Sequence, residues 1–192
     1  MVETEYFDLG KDLSAFGMKR FDREKTLRIP THTMAGVLHA DFRIPSSVDY
    51  LSLLRLTRVM TKDEREVIKA FRQCVFNVVF NNRDDHSKNF SFLLDQKRNW
   101  KLTPAYDLTF SPGPGGEHQM DICGEGRDPD RSHFFMLAEK GGLNRRSCED
   151  IISHTLAVAS NFKKESKNWP ICAATVNKID QAIKSNMKRL VV

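Results

Sequence analysis

The run Asn82-Arg83-Asp84-Asp85-His86-Ser87-Lys88-Asn89 places a carboxylate, Asp84, ahead of a side-chain amide, Asn89, with four residues between them. A second carboxylate, Asp107, follows 18 positions after Asn89 in Tyr106-Asp107-Leu108. Phosphoryl transfer needs such a set. One carboxylate orients an attacking hydroxyl and accepts its proton, while hard oxygen donors hold Mg2+ against the phosphates of ATP. Each piece alone is commonplace: Asp and Asn after a helix usually form a capping turn. His86 reads equally as a packed histidine bracing the loop, and Lys88 as a solvent-facing lysine. The order of the pieces carries the reading.

Position must come from the flanking elements. The segment Lys62 to Phe80 predicts a helix, because Val67, Ile68, Phe71, Cys74, Val75, Val78 and Val79 follow the helical period. Thr61 and Glu64 read as its capping box. This helix would deliver the chain straight into the polar cluster. Beyond it, Phe90–Leu94 and Trp100–Thr103 predict two strands around a polar turn, with Pro104 as the stop. Such a hairpin carries the chain out and back, so that Asp107 returns beside Asn89.

Other elements are less sharply marked. Phe16–Phe21 predicts a strand, and Thr31–Arg43 holds a short helix between Pro30 and Pro45. Ser46 or Ser47 would cap a helix through Leu56, with Val48, Leu51 and Leu54 on one face. The Gly- and Pro-rich stretch Leu108 to Asp130 reads as a long loop, with Ser111 as a candidate phosphosite. Three helices would finish the chain. One is capped by Ser132 and ends at Gly141, and the next is capped by Ser147 with Asp150 and runs through Phe162. The last starts near Pro170. The expected fold is mainly α, one domain over residues 1–192, with a small β-hairpin at its functional edge.

Composition agrees with a globular chain: 40% hydrophobic and 29% charged residues. No apolar run approaches the ~18 residues of a membrane span, and the acidic, polar start is unlike a secretory signal. Cys74, Cys123, Cys148 and Cys172 are scattered, which fits neither a zinc knuckle nor a disulfide framework and suits a reducing cytoplasm. The net charge of +5 resides in residues 141–192, which carry 9 basic against 4 acidic side chains. Without aromatic interleaving or a dense basic run, the tail reads as solvated helical faces, with no direct nucleic-acid contact expected.

The run from Phe71 to Asp107 resembles the HipA-like serine/threonine protein kinases, toxins of bacterial toxin–antitoxin modules. Asn82-x-Asp84-x-His86-x-Lys88-Asn89-Phe90-Ser91 looks like their catalytic loop, and Leu102-Thr103-Pro104-x-Tyr106-Asp107 like their metal-binding segment. Arg20-Phe21-Asp22-Arg23 and Arg28-Ile29-Pro30 look like the hinge between their lobes. The resemblance implies a protein-kinase C-lobe-like fold with Asp84 as catalytic base and Asn89 and Asp107 as Mg2+ ligands. His86, Lys88, Asn89, Tyr106 and Asp107 would face the nucleotide, and Lys19, Arg20 and Phe21 would meet the adenine. It also implies a protein substrate and a small DNA-binding antitoxin as partner.

Two features depart from the family pattern. Met18-Lys19 stands where an acidic residue is more usual before Arg-Phe. Gly10 and Gly17 are the only glycines ahead of the hinge, so no phosphate-cradling loop is visible there. The expectation is a catalytic half whose phosphate-covering lobe comes from elsewhere, with little turnover by itself. Two other readings remain: a small-molecule kinase of the aminoglycoside or choline type, whose loop is similar, and a non-catalytic interaction domain.

Overall fold

The computed structural model describes residues 2–11 and 13–191. Two antiparallel strands, β1 (Thr4–Gly10) and β2 (Leu13–Met18), form an N-terminal ribbon. Its large side chains lie open: Leu9 and Leu13 are each 63% exposed and Phe16 72%. A second short ribbon follows, β3 (Arg23–Glu24) with β4 (Leu27–Arg28). The predicted strand Phe16–Phe21 is therefore corrected, since β2 ends at Met18. Lys19 pairs with Glu3 at 3.0 Å, and Arg20 forms an ion pair with Asp22.

The predicted hairpin is present as β6 (Ser91–Leu94) and β7 (Trp100–Leu102). It gains a third strand, β5 (Thr31–Thr33), in the order β5-β6-β7 and antiparallel throughout. Three residues are too few to display an alternating pattern, so β5 leaves no periodic signal. The short helix α1 (Met34–Leu38) follows it directly, capped by Thr33.

The helical body is built around α2 (Tyr50–Thr61) and α3 (Glu64–Val79). Asp49, rather than Ser46 or Ser47, caps α2, its carboxylate accepting from the Ser52 amide at 2.7 Å. Ser46 sits at φ +55, and Ser47 Oγ donates to the Asp41 carbonyl. The helix also runs past Leu56, because Thr57 is fully buried and bonds back to the Leu53 carbonyl at 2.7 Å. Thr61 is consumed in the same way by the Thr57 carbonyl, so Asp63 is left to cap α3. The left-handed Lys62 (φ +53) makes the corner between the two helices.

Along α3, Val67, Ala70, Phe71, Cys74, Val75, Val78 and Val79 are buried, as the periodicity requires. Four more helices close the core: α4 (Arg131–Lys140), α5 (Arg145–Ala159), α6 (Phe162–Glu165) and α7 (Ala173–Val191). The α4 cap is Asp130, in a capping box with His133, not Ser132. The α5 cap is Asn144, not Ser147, and the helix ends at Ala159 before a break. In both cases a better acceptor stands two or three residues upstream of the predicted serine. Phe134 of α4 meets Phe71 edge-on at 6.1 Å. Asn186 of α7 donates to the Val78 carbonyl at 2.7 Å, covering the C-terminal end of α3. The fold is mostly helical with small sheets, and among the described residues no helix is long and apolar enough to cross a membrane.

Candidate active site

The site begins where α3 stops. Asn81 turns the chain at φ +55 and ties it to the 108–130 segment. Its Nδ2 donates to the Ser111 carbonyl at 2.9 Å, and its own carbonyl accepts from the Ser111 amide at 3.0 Å. The loop then closes on itself. The Asn89 amide donates to the His86 carbonyl, and Asn89 Nδ2 donates to the Asp84 carbonyl at 2.8 Å. Asn89 is only 6% exposed, whereas the Asp84 side chain is half exposed. His86 Nε2 stands 3.8 Å from Asp84 Oδ1, and the imidazole packs edge-on against Phe42. Lys88 lies over the other part of that wall, its Nζ 3.6 Å from the Phe42 ring centre.

The segment after β7 comes back onto this loop through Tyr106. Its hydroxyl donates to the Lys88 carbonyl at 2.5 Å and lies 2.6 Å from Ser91 Oγ. Burial pushes the Tyr106 phenol further up from its ordinary value. Phe21 stacks obliquely on its ring at 5.4 Å. The next residue, Asp107, is exposed and held at φ +53. A cleft of about 530 Å³ opens beside it, between Phe16 and Met18 of β2 and residues 105–109.

Beneath the loop lies a buried polar chain. The Asp85 carboxylate is fully buried and accepts from the Tyr50 hydroxyl at 2.6 Å, His118 Nδ1 at 2.7 Å and the Gln119 amide at 2.8 Å. Tyr50 accepts in turn from Asn77 Nδ2 at 2.9 Å, and Asn77 Oδ1 accepts from Asn82 Nδ2 at 3.1 Å. Burial holds the Tyr50 phenol well above its ordinary range, with the Asp85 charge adding to the effect. On the other side of Asp84, the Arg83 guanidinium donates to the carbonyls of Gly116 and Arg127. Gly113 is required there: it sits at φ +72, and a Cβ would fall 2.1 Å from the Glu117 carbonyl oxygen and 2.7 Å from Arg83 Cβ.

Residues 1–162 match the profile of the family described as HipA-like C-terminal domain. This chain belongs to that family. Two Sinorhizobium fredii proteins are similar to it. "Putative kinase Y4mE" is 41% identical over 153 residues, covering 75% of this chain and 36% of that protein. "Putative kinase Y4dM" is 26% identical over 174 residues, covering 86% and 42%. The chain thus spans less than half the length of either relative. A chain of the complex of HipA, HipB and operator DNA from the toxin–antitoxin system of Shewanella oneidensis MR-1 superposes with a TM-score of 0.80 at 16% identity. That match covers 99% of this chain and 51% of the other, and at this identity it is a likeness of fold.

In this HipA-like domain Asp84, His86, Lys88, Asn89, Tyr106 and Asp107 lie on two segments joined through Tyr106 and Ser91, with Phe21 against them. The side chains of Lys19 and Arg20 are engaged with Glu3 and Asp22. Sequence reasoning passed over Asp85, Arg83, His118 and Tyr50. Asp85 had a signal, a carboxylate in a loop entered from a buried helix, but His118 lay in a stretch read only as loop. Among the described residues no cluster of three or more His, Cys, Asp or Glu could hold a metal. The donor set still fits Mg2+, which takes one or two protein oxygens and completes its shell with phosphate and water. With Nδ2 committed to Asp84, the Asn89 amide oxygen is the atom left to face a ligand.

Proposed function

We propose that this chain is the catalytic, C-lobe-like half of a HipA-like protein kinase, transferring the γ-phosphoryl group of ATP to a Ser or Thr hydroxyl of a protein. The observation that carries the reading is the return of Tyr106 onto the loop of Asp84 and Asn89, with Asp107 next in the chain. Asp84 would accept the proton of the attacking hydroxyl, and its half-exposed side chain supports that role. The hydroxyl oxygen bonds to the γ-phosphorus as the bond to the β–γ bridging oxygen breaks, and ADP leaves. Asn89 and Asp107 would hold Mg2+, which supplies positive charge to the phosphates. Adenine would enter the cleft between Phe16, Met18 and Leu108. His86 and Lys88, both turned toward Phe42, wall the loop.

Phosphate charge is stabilised chiefly by preorganised donors in a site closed to water. The cleft here is open, so a completing lobe supplying a phosphate lid, in the same polypeptide or another chain, belongs to this reading. A DNA-binding antitoxin is the second partner it implies.

Calorimetric titration of Mg2+-ATP into the chain, repeated with Asp107→Ala, tests the proposal. Saturable binding lost at least tenfold on substitution supports the half-site. Identical titrations for the two chains overturn it.

A further inference from the structure

Asp84 is bracketed by two residues that face away from it and hold the same distant segment. Arg83 holds Gly116 and Arg127, and Asp85 holds His118 and Gln119. The Arg83 amide also donates to the Ser111 carbonyl at 3.3 Å. The Gly-rich stretch 111–119 is therefore fastened to the loop on both sides of the base. In a kinase this stretch occupies the place of an activation loop, whose order often depends on phosphorylation. Here its anchorage rests on groups already in the chain.

We propose that His118 is a positioning residue for Asp84, acting through Asp85, and that this pair locks the Gly-rich stretch and the catalytic loop into one unit that orders without phosphorylation. The inference rests on the reading of Asp84 as the base. Its physical ground is the cost of an unsatisfied buried carboxylate. With Asp85 fully buried, each of its three donors is needed, and they come from two places: Tyr50 on α2, and the neighbouring His118 side chain and Gln119 amide of the Gly-rich stretch. His118 is itself 3% exposed and cannot exchange Asp85 for water without the segment opening. Because an ionised carboxylate only accepts, Nδ1 carries the proton toward it. Tyr50 and Asn77 carry the same chain of bonds into α2 and α3, so Asp85 is held from below while Asp84 faces out. Loss of the His118 donor leaves Asp85 seeking water. The loop backbone then shifts where Asn89 closes it on the Asp84 carbonyl.

The test is residue-resolved hydrogen exchange on the full chain, with Mg2+-ATP titration beside it, for the wild type, His118→Ala and His118→Asn. Asparagine places an amide N–H close to where Nδ1 stands. In the wild type the amides of Gln119, Arg83 and Asn89 should open together, with protection factors within threefold. His118→Ala should speed exchange at 81–90 and 111–119 at least tenfold, leave α5 and α7 unchanged, and weaken Mg2+-ATP binding at least tenfold. His118→Asn should restore most of both. Wild-type Gln119 exchanging far faster than Arg83 and Asn89 overturns the coupling, without recourse to any variant. So does a folded His118→Ala with unchanged exchange at 81–90 or unchanged nucleotide affinity. A wild-type chain that takes up no Mg2+-ATP sinks the nucleotide half-site itself, and exchange alone then decides whether the two loops are locked.

Discussion

Asn89 Nδ2 donates to the Asp84 carbonyl at 2.8 Å, so the two ends of the candidate catalytic loop are joined by the side chain of one of its own functional residues. The bond fixes which end of the amide faces outward. Asn89→Asp keeps an oxygen for a metal but loses the donor, and it sets a carboxylate against a carbonyl. This variant should bind Mg2+-ATP at least tenfold more weakly by calorimetry and unfold with a loss of about 1–3 kcal/mol in urea. An affinity equal to the wild type would show that the Nδ2 bond to the Asp84 carbonyl is not needed to present that oxygen.

Gly113→Ala forces a Cβ into the Glu117 carbonyl and Arg83 at a backbone conformation that disfavours side chains. The conformational strain alone is about 1–2 kcal/mol, and the collision adds to it. The expected outcome is a lowered urea midpoint together with faster exchange around Arg83. Gly115→Ala shares a positive φ but meets nothing within 4 Å, so it should cost less. Equal losses at the two glycines would remove the contact with Arg83 from the explanation.

Asn186 reaches from α7 to the Val78 carbonyl at the end of α3, and it is 3% exposed. Asn186→Ala leaves that carbonyl without its side-chain partner and should cost about 1–3 kcal/mol in chemical denaturation. The loop that follows α3 should then fray, read as faster exchange at Asn81 and Asn82.

Asp130 is held down to about 2, first by its bond from Ser132, with the His133 amide and imidazole also favouring the charged form. A depressed folded-state value means the carboxylate adds stability above its unfolded value near 3.8, and that contribution is lost as pH falls toward 2. Asp130→Asn keeps the cap and removes the charge. The stability gap between wild type and variant should therefore be full at pH 5 and shrink across pH 4 to 2 in urea titrations. A gap independent of pH would assign the effect to shape alone.

The parts of this domain that were legible in the sequence are those where one element decides its own fate. The apolar period of α3 and the alternation around a polar turn in β6 and β7 depend on neighbours a few residues away. The Asp84–Asn89 spacing and the Asp107 that follows the hairpin were visible for the same reason. What escaped notice depends on distant pairing. β5 exists because β6 offers it an edge, and His118 matters because Asp85 needs a donor 33 positions away. The helix caps fell between these cases. Ser132 and Ser147 are good caps in isolation, but Asp130 and Asn144 are better acceptors slightly upstream, and Thr61 had already been taken by α2.

The N-terminal ribbon has a consequence for the chain as a colloid. A two-stranded sheet with Leu9, Leu13 and Phe16 open to water has little to hold it flat, and its free strand edges invite any extended backbone nearby. At the concentrations used for calorimetry it is the adhesive part of the surface, while the excess basic charge of residues 141–192 repels its own copies. Light scattering should then rise with protein concentration and with added salt, as screening removes the repulsion and leaves the ribbon's attraction in place. Placing Lys at Leu9 and Phe16 should abolish that rise without moving the unfolding midpoint of the helical body.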